Sequence, residues 1–460
     1  MSTYLLPVLL VNFMGTVGFS VVIPFLVFVV RDFGGNGFVY GLVGAVYPAM
    51  QLVGAPILGR WSDRVGRRRA LLVSQVGTLL AWLLFTSSLL MPRLSFGTWD
   101  GAVGRIEVTL PLLVVFFSRA LDGLTGGNIV VANAYVGDVS TDADRSRNFG
   151  RMGISANLGF VLGPGLASVF GALGFGFLAP ALTCVAISVL GTGLILFILP
   201  DSVPEPPCRD RAQPSIRRVF GQGHRPCEGR KPAWREALER PGLKRLLAVY
   251  FLIFLGFNFF YTAFPVHAAE GLGWKVTRTG SFFMLLSGLM VLVQGPVLQA
   301  ASARASSETL VVTGMLLLSL FFVVLTANST ALTFTGTALF ALGNGLMWPS
   351  VLAMISERAG AEAQGAVQGV AGSLASLASV FGLVAGGVLY QALGEGTFLI
   401  SSWVMLSGVL LMAMSSPGRG ERRRSPRGAR EEAATTAASV SSSTAASGAE
   451  FLRRPVVQTL

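Results

Sequence analysis

The chain has 460 residues, 52% of them hydrophobic and only 13% charged, with a mean hydropathy of +0.64 and a formal net charge of +12. Those values exclude an ordinary soluble domain and indicate an integral, multi-pass membrane protein. The excess of base then has to be explained by where it sits.

Twelve predominantly apolar runs of about 18 to 25 residues, each long enough as a helix to cross ~30 Å of hydrocarbon, fall near 5–30, 37–58, 70–90, 110–136, 150–170, 174–199, 246–268, 280–298, 309–326, 331–355, 366–391 and 397–414. The first has no basic region before it and no small-residue cleavage site after it, so it is expected to remain as a transmembrane helix. The 56 glycines suit membrane helices that pack closely. Of the 35 Lys and Arg, 29 fall on the side that holds both termini, five on the opposite side, and the last, Arg119, inside the fourth run. This positive-inside asymmetry places both termini in the cytoplasm, with the cell membrane as the expected location. The pI near 10.4 therefore reports topology, and no nucleic-acid partner is expected.

After the second run comes "GRWSDRVGRRRALL", Gly59 to Leu72. Gly59 allows a tight exit from the second span, Asp63 can accept backbone donors at a helix start, and Gly66 permits a sharp turn into the third. Arg68 and Arg69 read as topology determinants. An acid among five basic residues is not needed for topology, so Asp63 invites a functional reading.

The fourth run holds "FFSRALDGLTGG", Phe116 to Gly127. Entering near Leu110 at 1.5 Å per residue, Arg119 and Asp122 lie about 14 and 18 Å deep, near the middle of the core. Each central charge costs roughly 2.5 to 3.5 kcal/mol unless it meets a partner or water. Three residues apart, the two share a helix face and can pair. One reading is a structural ion pair. The other is a proton site in which Asp122 takes up and releases H⁺ while Arg119 tunes it.

Between Pro200 and Pro241 the chain turns polar and rich in Pro and Arg, dividing six spans from six. Its end, with Trp234 and Leu238 one turn apart, suits a short interfacial helix. Cys208 and Cys227 lie in this loop and Cys184 in the sixth span, so no stable disulfide is expected; His224 beside Cys227 lacks the further ligands that zinc needs. The expected organisation is an N-terminal six-helix bundle at 1–199, a cytoplasmic central loop at 200–242, a C-terminal bundle at 243–414 and a disordered tail at 415–460. His267, near the end of the seventh run, reads as interfacial.

A repeat relates the two halves. "APILGRWSDRVGRRRALL" (Ala55 to Leu72) aligns without gaps on "GPVLQAASARASSETLVV" (Gly295 to Val312), and "RALDGLTGG" (Arg119 to Gly127) on "TALFALGNG" (Thr337 to Gly345). The fold class is an all-α membrane protein of twelve transmembrane helices in two six-helix repeats, an organisation that places a binding site between the halves near mid-membrane. Gln51, Asn258, Asn344 and Trp348 are candidates to line it, with helix-to-helix hydrogen bonding as the alternative for each.

The loop with Gly59, Asp63, Arg64, Gly66 and Arg67 resembles the signature after the second span of the major facilitator superfamily, and the resemblance covers about 1 to 414. It implies that these residues form a charge network closing the cytoplasmic side in one state. "GFVLGPG", with Gly159, Gly163, Pro164 and Gly165, is similar to the fifth-helix motif of antiporter branches, although Ala167 and Ser168 stand where paired glycines are common. "RALDG" resembles the fourth-helix motif of proton-coupled members, and "GLTGGN" and "DRSRNFG" resemble the tetracycline branch of drug/proton antiporters. In the similar first-helix segment "GTVGFSVVIPFL", Gly15 stands where that branch carries an acid. What the resemblance implies is a monomeric efflux transporter in the bilayer, without enzymatic activity, metal or cofactor, exchanging protons for a lipophilic small molecule with the proton gradient as driving force. A facilitator or symporter for an uncharged metabolite, a membrane enzyme and a non-transporting scaffold are the rivals.

Overall fold

Helix breaks fall at Pro24, Gly66 and Gly126, whereas Pro48, Pro56, Pro164, Pro265 and Pro349 lie inside helices. The computed structural model describes residues 5–101, 103–126, 128–140, 142–174, 176–200 and 239–414. The interfacial helix, the cysteines and histidine of the central loop, and the tail fall outside them. Within them lie twelve helices long and apolar enough to cross a membrane, as expected.

The first run divides at Pro24, which has no N–H to give a helix, into α1 (Leu5–Val22) and α2 (Leu26–Asp32). The second span is α3 (Gly37–Val65), with its first turn capped by the Asn36 side chain. It runs through Gly59, contrary to the expected exit there, and stops at Gly66, whose φ of +97° suits a residue without Cβ. The turn leads into α4 (Arg67–Ser88). A β-hairpin that the sequence did not announce follows, β1 (Ser95–Gly101) against β2 (Gly104–Thr109). It is pinned by the Glu107 N–H donating to the Gly34 carbonyl at 2.9 Å and by the Thr109 hydroxyl donating to that of Phe33 at 2.7 Å. We call its side of the molecule the hairpin face and the opposite side, where the Gly66 turn lies, the linker face.

The fourth span comprises α5 (Leu110–Thr125) and α6 (Asn128–Asp138), followed by α7 (Asp142–Ala172) and α8 (Leu178–Phe197). In the second half α9 (Leu243–Glu270) precedes α10 (Val276–Leu292), a π-helical turn (Val293–Val297) containing Pro296, and α11 (Leu298–Ser302). Then come α12 (Ser307–Leu325), α13 (Thr330–Leu393), which includes both the tenth and the eleventh spans, and α14 (Gly396–Ala413). At one aligned position the secondary structure matches: Gly66 and its counterpart Ser306 each immediately precede a helix, α4 and α12.

In the first half α1 packs on α7 and α8, and α5 on α3 and α4; in the second, α13 packs on α9 and α12. The halves meet along α3 with α13 and α7 with α10. Close to the hairpin face, Arg31 and Glu270 pair at 3.7 Å. Deeper, Ser168 donates to the Thr277 carbonyl and bonds Ser281, each at 2.9 Å, and near mid-span the Asn157 amide donates to Gln294 at 2.6 Å. His267, in the last turn of α9, is fully buried: Nδ1 lies 3.2 Å from the Tyr390 hydroxyl and Phe398 packs edge-on against the ring.

Candidate functional site

The fourth span is not the single helix that 110–136 suggests. It breaks at Gly126, beside the residues that drew attention in the sequence. A break frees backbone carbonyls that hydrocarbon cannot satisfy. Neighbouring helices supply the donors: Gln51 Nε2 reaches the Gly126 carbonyl at 3.0 Å and the Ser74 hydroxyl bonds that of Thr125. Such close support requires small residues. A Cβ on Gly54 would strike the Leu124 backbone, and one on Gly123 the backbone of Tyr47.

One turn before the break, Arg119 Nη1 lies 3.1 Å from Asp122 Oδ2, and both residues are more than nine-tenths buried. The guanidinium carbon stands 5.0 Å from the centre of the Tyr47 ring, a cation–π contact in a desolvated setting. Pairing lowers the cost of burying either charge. It leaves Arg119 Nε without a hydrogen-bond partner.

Asp122 opens onto a cavity of ≈ 310 Å³, together with Gly15, Gln51, Tyr47, Thr78 and Gly126. Its aromatic walls are Phe19, Phe160 and Trp82. The size is at the lower end of small-molecule pockets, about 300–1,000 Å³. All its lining residues belong to the first six spans, so the cavity lies within one half and not between the halves.

Towards the linker face, the residues of the signature loop come together in a different way from the one the sequence suggested. Asp63 does not cap a helix start; it sits in the last turn of α3 and pairs with Arg67 Nη1 across the Gly66 turn. Arg67 also donates from Nε to Asp138 Oδ2 at 2.8 Å and from Nη1 to the Ser62 hydroxyl at 2.6 Å. The network ties α3, α4 and α6 within the first half. Arg64 is exposed, and a Cβ on Gly59 would merely touch Val130 at 3.8 Å. Arg68 does more than mark a side of the membrane: its Nε donates to the Ile195 carbonyl at 3.1 Å, capping the end of α8.

On α7, Gly159 and Gly163 let α1 approach: Cβ atoms there would meet Thr16 and Ser20. Pro164 and Gly165 face the other half, with the Pro164 carbonyl beside Gly280 and Gly165 against Met284. One motif thus packs α7 against two partners, one in each half.

The Major Facilitator Superfamily model matches residues 8–309 and 295–458. The chain belongs to that superfamily. Among curated relatives of this superfamily member, the class C tetracycline resistance protein of Escherichia coli is 26% identical over 409 residues, covering 88% of this chain and 93% of its own. Multidrug resistance protein 2 of Bacillus subtilis (strain 168) is 25% identical over 410 residues, 86% and 91% of the two chains. Among solved structures, the human organic anion transporter MFSD10 (TETRAN) aligns with TM-score 0.62 at 20% identity over 89% of this chain and 99% of that one. The xylose transporter XylE from E. coli, in a partially occluded inward open conformation, aligns with TM-score 0.66 at 12% identity over 92% of this chain and 100% of that one. The protein is therefore an integral multi-pass membrane transporter of the major facilitator fold and not an enzyme.

Of the four lining candidates in this superfamily transporter, Gln51 lines the cavity. Asn258 does not: its amide is spent on the Phe254 carbonyl at 2.7 Å and the Ser379 hydroxyl at 3.1 Å, joining α9 to α13. Trp348 packs among Tyr250, Phe254 and Phe257. Asn344 is buried where Gly343 and Gly345 bring α13 against Gly314 and Val293. Sequence reasoning missed Tyr47 and Asp138. Tyr47 carries no signal beyond being aromatic, whereas Asp138 at the end of an apolar run was a visible acid for the basic loop to meet.

Proposed function

We propose that this transporter is a proton-coupled antiporter exporting a lipophilic or drug-like small molecule by alternating access. The observation that carries the reading is a carboxylate held in mid-membrane at the wall of a cavity, paired with a single arginine beside a broken helix. A buried acid with one cationic partner gains or loses a proton when a conformational change alters either its burial or that pairing. The aromatic walls and sparse charge suit lipophilic cargo. The names of the tetracycline and multidrug resistance relatives support efflux.

In this reading the linker face is cytoplasmic, the membrane is the cell membrane and the working unit is a monomer. Joins between the halves near the hairpin face, such as Arg31 to Glu270, hold that side closed. Gly15, where the tetracycline branch carries an acid, lines the same cavity as Asp122, so a carboxylate on α5 can serve the same space. Purified protein in liposomes containing a pH-sensitive dye tests the proposal against a panel of lipophilic solutes. Cargo addition should move protons in the opposite direction, and Asp122→Asn should abolish uphill transport while sparing cargo exchange. Uphill transport that survives Asp122→Asn would overturn it.

A further inference from the structure

An antiporter dissipates its driving force if its carboxylate can be reached by water from both sides of the membrane at once. The surroundings of Asp122 are strongly one-sided. On one side lies the ≈ 310 Å³ cavity. On the other lies a narrow gap with no room for a water molecule, lined by Ala81, Trp82, Phe85, Ser118, Arg119 and Asp122. Asp122 and Trp82 border both spaces, whereas Arg119 borders the gap alone. The ion pair and the indole ring together form the partition.

Behind the gap, towards the hairpin face, the first half is filled with aromatic rings. Trp82 meets Phe85 edge-on at 5.5 Å, Phe85 meets Phe25 at 6.1 Å, and Phe25 stacks on Phe177 at 6.3 Å. Trp82, Phe85 and Phe25 are 3%, 1% and 0% exposed, so this packing excludes solvent. Phe25 is not on a continuous helix. It occupies the break between α1 and α2 after Pro24, where its N–H makes a short turn to the Val22 carbonyl and its own carbonyl accepts from Phe28 and Val29 at the start of α2.

The gap also contains an unsatisfied donor. Arg119 Nε is buried without a hydrogen-bond partner, an unfavourable state for a charged group. A water entering the gap would satisfy it. The space is therefore dry by packing and not for want of polar groups.

We propose that Trp82, backed by Phe85 and Phe25, is the proton seal of this transporter: it holds Asp122 open to the cavity alone, and its displacement, allowed by movement of Phe25 at the α1–α2 break, wets the gap and turns the carboxylate towards the hairpin face. The inference rests on Asp122 being the proton carrier. It adds that cargo and proton reach this carboxylate from different sides of the Arg119–Asp122 pair. Trp82 is a positioning residue here, acting through the access it denies to water.

The test uses full-length protein in liposomes with a pH-sensitive dye inside, valinomycin and potassium to clamp the potential, an imposed external acid step, and no cargo. Wild type should stay tight. Trp82→Ala, which opens the gap into the cavity, should admit protons at least 10-fold faster, Phe85→Leu should give an intermediate leak, and Trp82→Phe should remain tight. Adding Asp122→Asn to Trp82→Ala should return the leak to the wild-type level. The proposal fails if monodisperse Trp82→Ala and Phe85→Leu proteins are both as tight as wild type, or if the leak persists without Asp122, since protons would then bypass the site. Because the assay contains no cargo, its outcome is independent of cargo-linked acidification, so failure of the seal and failure of the antiport reading are separate results.

Discussion

Equivalent positions in the two repeats have opposite contents. Arg119 and Asp122 on α5 form a buried ion pair at a broken helix. Their counterparts on α13, Thr337 and Phe340, lie on an unbroken one. Thr337 spends its hydroxyl on the Phe334 carbonyl at 2.5 Å, and Phe340 packs among Phe257, Phe260 and Phe321. Where the first half has the Gly126 break with Gln51 bonded to it, the second has Asn344 buried between closely packed helices. At these matching places the duplicated scaffold has thus been divided by chemistry: one half holds a charged pair beside a cavity, the other packed aromatic rings. Charge in a membrane interior is tolerated only with partners and space, and the second half offers neither at the matching place.

Four experiments break or sharpen that contrast. The largest effect is expected from Asp122→Asn, which should bring uphill transport to background, a loss of more than about 10-fold, while counterflow exchange continues. Restoring an acid to the same cavity from another helix, Gly15→Asp with Asp122→Asn, should recover a measurable part of that transport in the same liposome assay, because both positions border one space. In the second half, Phe340→Ala should cost about 3–5 kcal/mol of packing and lower the melting temperature in detergent, without changing the number of protons moved per cargo. Smallest should be Gly66→Ala, at about 1–3 kcal/mol for a backbone region that glycine favours, read as a modest fall in melting temperature. Equal loss of coupling from Phe340→Ala and Asp122→Asn would erase the distinction between the halves.

Much of this was legible in the sequence, for physical reasons. Span number follows from the length of apolar runs, since an unpaired backbone cannot cross hydrocarbon. The depth and pairing of Arg119 and Asp122 follow from helix geometry and three-residue spacing. What escaped prediction depends on contacts far apart in the chain. From sequence Asp63 reads as an acceptor at a helix start, but Gly66, not Gly59, ends α3, so the acid faces Arg67 across the turn. Asn258 reads equally as a cavity-lining residue or as a bond between helices; it is the latter, and nothing local to it discloses Ser379, 121 residues away. The burial of His267 is not legible because its partners, Tyr390 and Phe398, are remote in sequence. The hairpin at 95–109 was hidden because its anchors are backbone groups at Phe33 and Gly34, which carry no side-chain signature.

The π-helical turn at Val293–Val297 has a consequence for how the two repeats diverged. Widening one turn accommodates a single surplus residue without lengthening the rod, and every side chain beyond it is rotated by about 100° from the heading it would otherwise have. Gln294 lies inside this turn and faces Asn157 on the opposite half. A one-residue deletion at Gly295 would therefore restore regular α-helical bonding at this turn while leaving the stretch into Leu298–Ser302 aimed as it is, removing the widened turn alone.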